Sequence, residues 1–353
     1  MWVKNIMGIC VLITSVGGLV SPGIIDNVRS MSEVSRIIGT DASPDAIGFH
    51  MVDRGYIVPY GDAPDYIDVL SMIVTREAVN VIVPCSDEEV LTFSRYKGSF
   101  RELGVAILCS SYNITAVAID KGSMLTFLKE HGLVYPHFRL PTTTMELFQA
   151  AEELGYPSRP VVAKPRRGRG GRGVKVLRED INVFETRDTR EMKQEWFAES
   201  LGQHVKELVL MEYLPGEDYS VDVLAERGNL LYIVPRKRIK VFLGPSQIGE
   251  TLWDRQIVDI VEAVVNCFGF DSNVNVQLRC AANDGVPMVY EINPRISGTI
   301  VASKAAGVDL LRYGIRHSLG LDLTGGIMVR PVRMIRYFKE YFVDGPDRQP
   351  ERI

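Results

Sequence analysis

Four short apolar runs, at residues 9–14, 36–40, 79–83 and 105–108, alternate with helical patterns at the start of the chain. Near-continuous apolar runs suit strands buried on both faces, and strands alternating with helices close as a doubly wound parallel sheet. A Rossmann-like lobe is therefore expected over residues 1–112. Lys4 followed by the apolar stretch 6–20 has the outline of a short signal peptide. That stretch is too short to span a bilayer and is broken by Gly17-Gly18. It leads into Ser21-Pro22, read as a helix N-cap with proline at the first helical position, so a first strand accounts for it better. Gly17, Gly18 and Gly23 follow this strand and Asp41 ends the second, but the run GGLVSPG is not G-x-G-x-x-G, and no nicotinamide site is expected.

The remaining 240 or so residues must be placed by composition and pattern. With 353 residues, 46% hydrophobic and 24% charged, the chain can bury two or three cores. Forty basic against 44 acidic residues give a net charge of −4, so no global field draws it to nucleic acid or an anionic membrane. Cys10, Cys85, Cys109, Cys267 and Cys280 are odd in number and lack C-x-x-C spacing, which reads as reduced thiols in a cytoplasmic protein. The histidines His50, His131, His137, His204 and His317 show no zinc-ligand spacing.

A helix is expected over 113–130. A short helix at 145–154, a strand at 161–164, a run of glycine and arginine, and a polar helix at 189–201 then make a small α+β lobe. Strands at 220–225, 230–234, 274–278 and 288–292 surround a helix at 256–268, and a helix at 308–319 precedes a polar tail. The expected division is 1–112, 113–216, 217–343 and a tail over 344–353, with no internal repeat.

Two stretches carry chemistry. Val161-Val162-Ala163-Lys164 is a strand ending in lysine, and Gly168, Gly170, Gly171 and Gly173 follow it. Backbone N–H groups without Cβ atoms beside them can close on phosphate oxygens while the lysine supplies a fixed charge. A flexible basic hairpin is the plain alternative, and a Walker loop is excluded because no G-K-[ST] opens a helix. Further on, Gln277 and Glu291 would sit on paired strands joined through Asn283-Asp284-Gly285, with Asn293 and Arg295 beyond. One carboxylate with amide oxygens and phosphate suits Mg²⁺; the alternative is a buried Glu291–Arg295 pair. Between these stretches, Met211-Glu212-Tyr213-Leu214-Pro215-Gly216-Glu217-Asp218 reads as strand, turn and strand.

The order of these motifs resembles the ATP-grasp superfamily. The run EINPRISGTIVASKAAG from Glu291 to Gly307, preceded by VNVQ, is most similar to the synthetase half-domains of the carbamoyl phosphate synthase large subunit. Biotin carboxylases and carboxylate-amine ligases share the plan, and the likeness covers residues 8–320. It implies an α/β and α+β chain, a Rossmann-like N-terminal lobe followed by a two-lobed ATP-grasp fold. By the same resemblance Lys121 and Lys164 contact ATP phosphates under the Gly168–Gly173 loop, and Glu212, Tyr213 and Leu214 frame the adenine. Asp218 takes the ribose position, where the family has Glu, so the neighbouring Glu217 is its alternative. Gln277, Glu291 and Asn293 match metal positions, and Arg295 and Lys164 the groups that steady the transferred phosphoryl.

The implied activity is an ADP-forming ligase that uses ATP and Mg²⁺, or Mn²⁺ in its place, to join a small-molecule carboxylate to an amine in the cytoplasm, with a homodimer as a candidate assembly. Arg236, Arg238 and Lys240 alternate on a strand and form a candidate wall for an anionic substrate, with a solvated edge as the alternative. Asp87, in Asp87-Glu88-Glu89, is a candidate amine contact or a helix cap. Rival activities are a kinase of carbonate or carbamate, a nucleotide-binding module without turnover, and a nucleic-acid binder built on 166–172.

Overall fold

The computed structural model describes residues 8–352 except 169, 182–189, 203, 243, 282–284, 324, 326–327 and 344–349. These residues group into two compact units, one from stretches 1–116, 220–276 and 293–353, the other from 117–219 and 277–292.

The first unit holds a parallel sheet whose spatial order is Glu351–Arg352, Arg54–Ile57, Val34–Asp41, Ile9–Thr14, Val81–Val83, Ala106–Ile107. Ile9–Thr14 lies at its centre and is buried at all six positions, which is why ICVLIT shows no polar alternation. Glu351 and Arg352, expected in a polar tail, instead form the edge strand, and Arg54 binds Glu351 there. The rest of the expected tail, 344–349, falls outside the described residues. The helix Arg255–Phe268 buries Ile257, Val258, Val261, Val264, Val265 and Phe268, a stripe at helical spacing. Asp254 caps its start by accepting from the Ile257 N–H at 3.2 Å, and Gly269 ends it at φ 71°.

The second unit is built on a five-stranded sheet in the order Phe138–Arg139, Leu208–Glu212, Val161–Pro165, Lys175–Leu177, Glu191–Met192. The helices Thr144–Glu153 and Gln194–Leu201 close its core, where Leu147, Ala151, Val161, Ala163, Leu177 and Leu210 are inaccessible to solvent. The first unit has a further sheet whose strands include, in order, Asp218–Glu226, Asn229–Val241, Ser246–Thr251 and Arg333–Ile335. No described helix is long and apolar enough to cross a membrane.

Several expected bounds are corrected. The helix over 113–130 is two helices, Tyr112–Ile119 and Lys121–Glu130, because Asp120 turns extended (ψ 106°) and caps the second by accepting from the Ser123 N–H at 2.9 Å. The helix over 189–201 starts only at Gln194, since Glu191–Met192 pairs as a strand with Lys175–Leu177. Ser21 is not a cap: the helix Ser21–Arg29 begins with it, and its hydroxyl donates to the Ser15 carbonyl at 2.9 Å. Asp41 serves its own loop, accepting from the Gly17 N–H at 2.7 Å and the Ser43 N–H at 2.9 Å. Asn283 and Asp284 of the expected turn lie outside the described residues.

Candidate functional site

Lys164 sits near the end of the strand Val161–Pro165, whose apolar residues pack into the second unit's core and carry the lysine inward with them. It is 8% exposed, and no described carboxylate lies within ion-pair distance of its ammonium. The ring of Tyr290 lies beneath it instead, 4.4 Å from Nζ to centroid. Burial pulls its pKa down to about 8, while Glu291 opposes that shift, Lys121 adds to it, and Asp218 opposes it.

After Lys164 the backbone takes φ values of 130°, 66°, 73° and 70° at Gly168, Gly170, Gly171 and Gly173. L side chains rarely adopt these angles, so the four glycines are needed for the loop's path, whatever it binds. Lys121 is 6% exposed and is fixed from both ends: its N–H donates to the Arg166 carbonyl at 2.8 Å and its Nζ to the Gly168 carbonyl at 2.9 Å. Asp120 takes up Arg166 at 2.8 Å and Arg167 at 3.5 Å, so part of the positive charge of the 166–172 run is neutralised within the unit. Lys121, Lys164, Arg167, Gly168, Gly171, Arg172 and Glu291 line one cavity.

Tyr290 ties further candidates to this cavity. Its hydroxyl is 2.8 Å from Gln277 Oε1 and 3.1 Å from Asp218 Oδ1, able to donate to either. The acidic hinge is separately organised: Tyr219 OH donates to Glu217, and Glu212 Oε1 accepts from the His137 N–H at 2.7 Å. Leu214 is buried, and the Arg279 guanidinium lies 5.9 Å from the Tyr213 ring centroid while its Nε donates to the Gly216 carbonyl at 3.2 Å. A Cβ on Gly216 would stand 2.6 Å from Cys280 Cβ, so this turn accepts only glycine.

Asn293 and Arg295 belong to the first unit. Arg295 Nε donates to Asp87 Oδ1 at 2.7 Å and Nη2 to Asn293 Oδ1 at 3.2 Å. Asp87 is therefore a partner of Arg295 rather than a free amine contact. The cap of its helix, Asp87–Glu102, is a box made by Ser86 and Glu89. Glu89 also accepts from the hydroxyls of Thr14 and Ser15, at 2.5 and 3.0 Å.

The expected wall of Arg236, Arg238 and Lys240 is corrected as well. The strand Asn229–Val241 shifts register after Arg238, so the three do not share one environment: Arg236 is fully buried, Arg238 is half-buried and Lys240 is exposed. Arg236 Nη1 donates to Asp222 Oδ2 at 2.8 Å, and its Nη2 donates to Ser220 Oγ at 3.1 Å and to Thr299 Oγ1. Asn275 joins the same network through Asp222 Oδ1 and Ser220 Oγ, both at 2.9 Å.

The residues fit a nucleotide's phosphates. A buried ammonium with no described carboxylate at ion-pair distance and a loop of left-handed glycines are the two things a phosphate would satisfy. They fit Mg²⁺ in a narrower sense. Among the described residues no three His, Cys, Asp or Glu side chains cluster, so a cation would depend on Glu291, amide oxygens and phosphate together. Tyr290, Arg279 and Thr299 were not singled out from the sequence; only contacts between distant strands reveal them.

Known proteins agree with this fold. A family model described as "ATP-grasp in the biosynthetic pathway with Ter operon" matches residues 204–338, and one for the "PylC-like, N-terminal domain" matches 11–108. The carbamoyl phosphate synthase large chain of Neisseria meningitidis serogroup A is 27% identical over 301 residues, 81% of this chain and 26% of that one. This chain thus spans about a quarter of that relative's length. Among solved structures, N5-carboxyaminoimidazole synthetase from Staphylococcus aureus in complex with ADP superposes with a TM-score of 0.68 at 16% identity, covering 95% of this chain and 84% of that one. The biotin carboxylase domain of Hydrogenobacter thermophilus 2-oxoglutarate carboxylase, a dimer with MgADP, ADP and bicarbonate, gives 0.67 at 17% identity, covering 90% and 71%. An ATP-grasp family model thus matches residues 204–338, and over 301 residues the chain is similar to the carbamoyl phosphate synthase large chain.

Proposed function

We propose that the protein is an ATP-dependent ligase that phosphorylates a small-molecule carboxylate and passes the acyl group to an amine or similar nucleophile, releasing ADP and phosphate. The observation that carries this is Lys164: a buried ammonium with no described carboxylate partner, at the foot of a glycine loop and in one cavity with Lys121 and Glu291. A carboxylate is a poor electrophile, and phosphorylating it supplies a leaving group.

In this reading Lys164 and Lys121 hold the phosphates, and the loop Gly168–Gly173 offers them N–H groups and keeps water from the activated acid. Glu212, Tyr213 and Leu214 receive the base, and Asp218 or Glu217 the ribose. Mg²⁺ held by Glu291 and Gln277 would offset the negative charge that builds on the phosphates. Arg295, kept in place by Asp87, steadies the transferred group. Mn²⁺ is a permissible substitute by ligand type.

The carbamoyl phosphate synthase relatives favour a second reading, a kinase of carbonate or carbamate. One experiment separates the two. Phosphate release from ATP is measured across a panel of amino acids, other carboxylic acids and bicarbonate, each with and without amines, and the nucleotide product is identified. Stimulation by an organic acid with ADP as product supports the ligase. Stimulation by bicarbonate alone supports the second reading, and AMP as the matched product rules out both.

A further inference from the structure

The first unit contains a group of arginines that the proposed function does not use. Arg236, Arg238 and Arg336 meet on two turns. Arg236 and Arg336 share the turn 297–299: Arg236 Nη2 donates to Thr299 Oγ1 and, at 3.5 Å, to Ser297 Oγ, while Arg336 Nη2 donates to the Gly298 carbonyl at 2.7 Å. Arg336 and Arg238 share the turn 244–246: Arg336 Nη1 donates to the Ser246 carbonyl at 3.1 Å, and Arg238 donates to Ser246 Oγ at 3.3 Å and to the Gly244 carbonyl at 2.6 Å.

The charges here are unevenly matched. Arg236 has Asp222, with Ser220, Ser297 and Thr299 completing its set. Arg336 has only backbone carbonyls, and no carboxylate among the described residues pairs with it. Burial, and after it the charge of Arg236, pull its pKa below the ordinary guanidinium value, the direction expected where positive charge outweighs negative. Yet Arg336 is only half-buried, so part of its side chain remains accessible to solvent. Beside it, Arg236 Nε is buried without a partner among the described residues. A guanidinium braced by two carbonyls, next to hydroxyls and a second guanidinium, presents a planar fork to an anion.

We infer that Arg336, backed by Arg236 and the hydroxyls of Ser297 and Thr299, is a binding site for the carboxylate of a small-molecule acid. The site follows from geometry within the first unit; only the identity of that acid, as the one to be activated, rests on the proposed function. The bland alternative is that Arg336 merely fastens the turns 244–246 and 297–299 together.

Trifluoroacetate serves as the probe, followed by the width of its fluorine resonance as the full chain is added, without ATP. The site predicts saturable broadening, reversed by acetate. In Arg336→Met the affinity should fall at least tenfold. In Arg336→Lys, which keeps the charge but loses the fork, it should fall by a smaller factor, and in Arg29→Met, at a surface pair with Asp53, it should not change. Thermal melts report folding. Where Arg336→Met does not fold, Arg336→Lys decides. No broadening with the unmodified chain, or unchanged affinity in the folded Arg336 variants, would overturn the inference. So would displacement by inorganic phosphate at far lower concentration than by acetate, which would make this a phosphoryl site. Because the probe needs no turnover, a failed acid panel would count against the proposed function alone, and a failed fluorine titration against this site alone.

Discussion

Lys164 and Arg236 are both buried cations on strands, one in each unit, and the protein treats them in opposite ways. Arg236 is neutralised: Asp222 pairs with its Nη1, three hydroxyls accept from its Nη2, and Asn275 holds Asp222 from the other side. Lys164 has an aromatic ring under it and no described carboxylate at contact distance. Charged groups removed from water cost several kcal/mol unless matched, so a neutralised cation is read as architecture and an unmatched one as a place where an anion arrives from outside. Arg336 lies between these cases, braced but not neutralised.

The largest expected difference is in stability. Asp222→Asn leaves Arg236 charged, buried and without its counterion, and should destabilise the fold by about 3 to 5 kcal/mol. Lys164→Met should do the reverse. The lysine's pKa is lowered from 10.5 to about 8. Its burial cost is fully present below pH 8, where folded and unfolded forms are both protonated, and is relieved as pH rises from 8 towards 10.5. At neutral pH its removal should thus stabilise the nucleotide-free protein, by up to about 3 kcal/mol. Denaturant unfolding of both variants without nucleotide checks the pair. A loss of stability in Lys164→Met would place Lys164 with Arg236 as architecture and erase the contrast.

Activity comes next. If Lys164 meets phosphate, Lys164→Met should weaken transition-state binding by roughly 2 to 4 kcal/mol, as removal of other preorganised donors does. Steady-state turnover with the best acid, at saturating Mg·ATP, reads this directly. Unchanged turnover in the folded variant would return the glycine loop to its alternative as a basic hairpin.

The smallest expected effect is a pH dependence. Free Lys164 loses its proton near pH 8, so between pH 7 and 9 affinity for Mg·ATP should fall by about tenfold if only the ammonium binds. Lys164→Arg, charged throughout, should flatten that profile in calorimetric titrations. A fall of equal size in both proteins would assign the titration to another group.

The contrast also shows what the amino-acid sequence could reveal. Lys164 was legible because its signal is local: an apolar strand, a lysine and glycines at close spacing. Glu291, with its place in the hairpin, was legible for the same reason. Arg236, Arg238 and Lys240 do not form one wall, because alternation tells which residues share a face, not which face is inward, and because a register shift after Arg238 ends the alternation. Arg54–Ile57 and Arg333–Ile335 carry too little apolar pattern to announce themselves as strands. The break at Asp120 had a local signal, an Asp able to cap, but the apolar pattern runs through it. Tyr290, Arg279 and Arg336 gain their places from residues far away in sequence, and no spacing encodes that.

In the proposed reaction a carboxylate oxygen becomes bonded to the γ-phosphorus of ATP. Supplying the stimulating acid with ¹⁸O in its carboxylate, and following the phosphorus resonances of the products during turnover, tests it most directly. Acyl-phosphate chemistry predicts one ¹⁸O in each released inorganic phosphate and none in the nucleotide. Label appearing in AMP, or phosphate released without label, would contradict it.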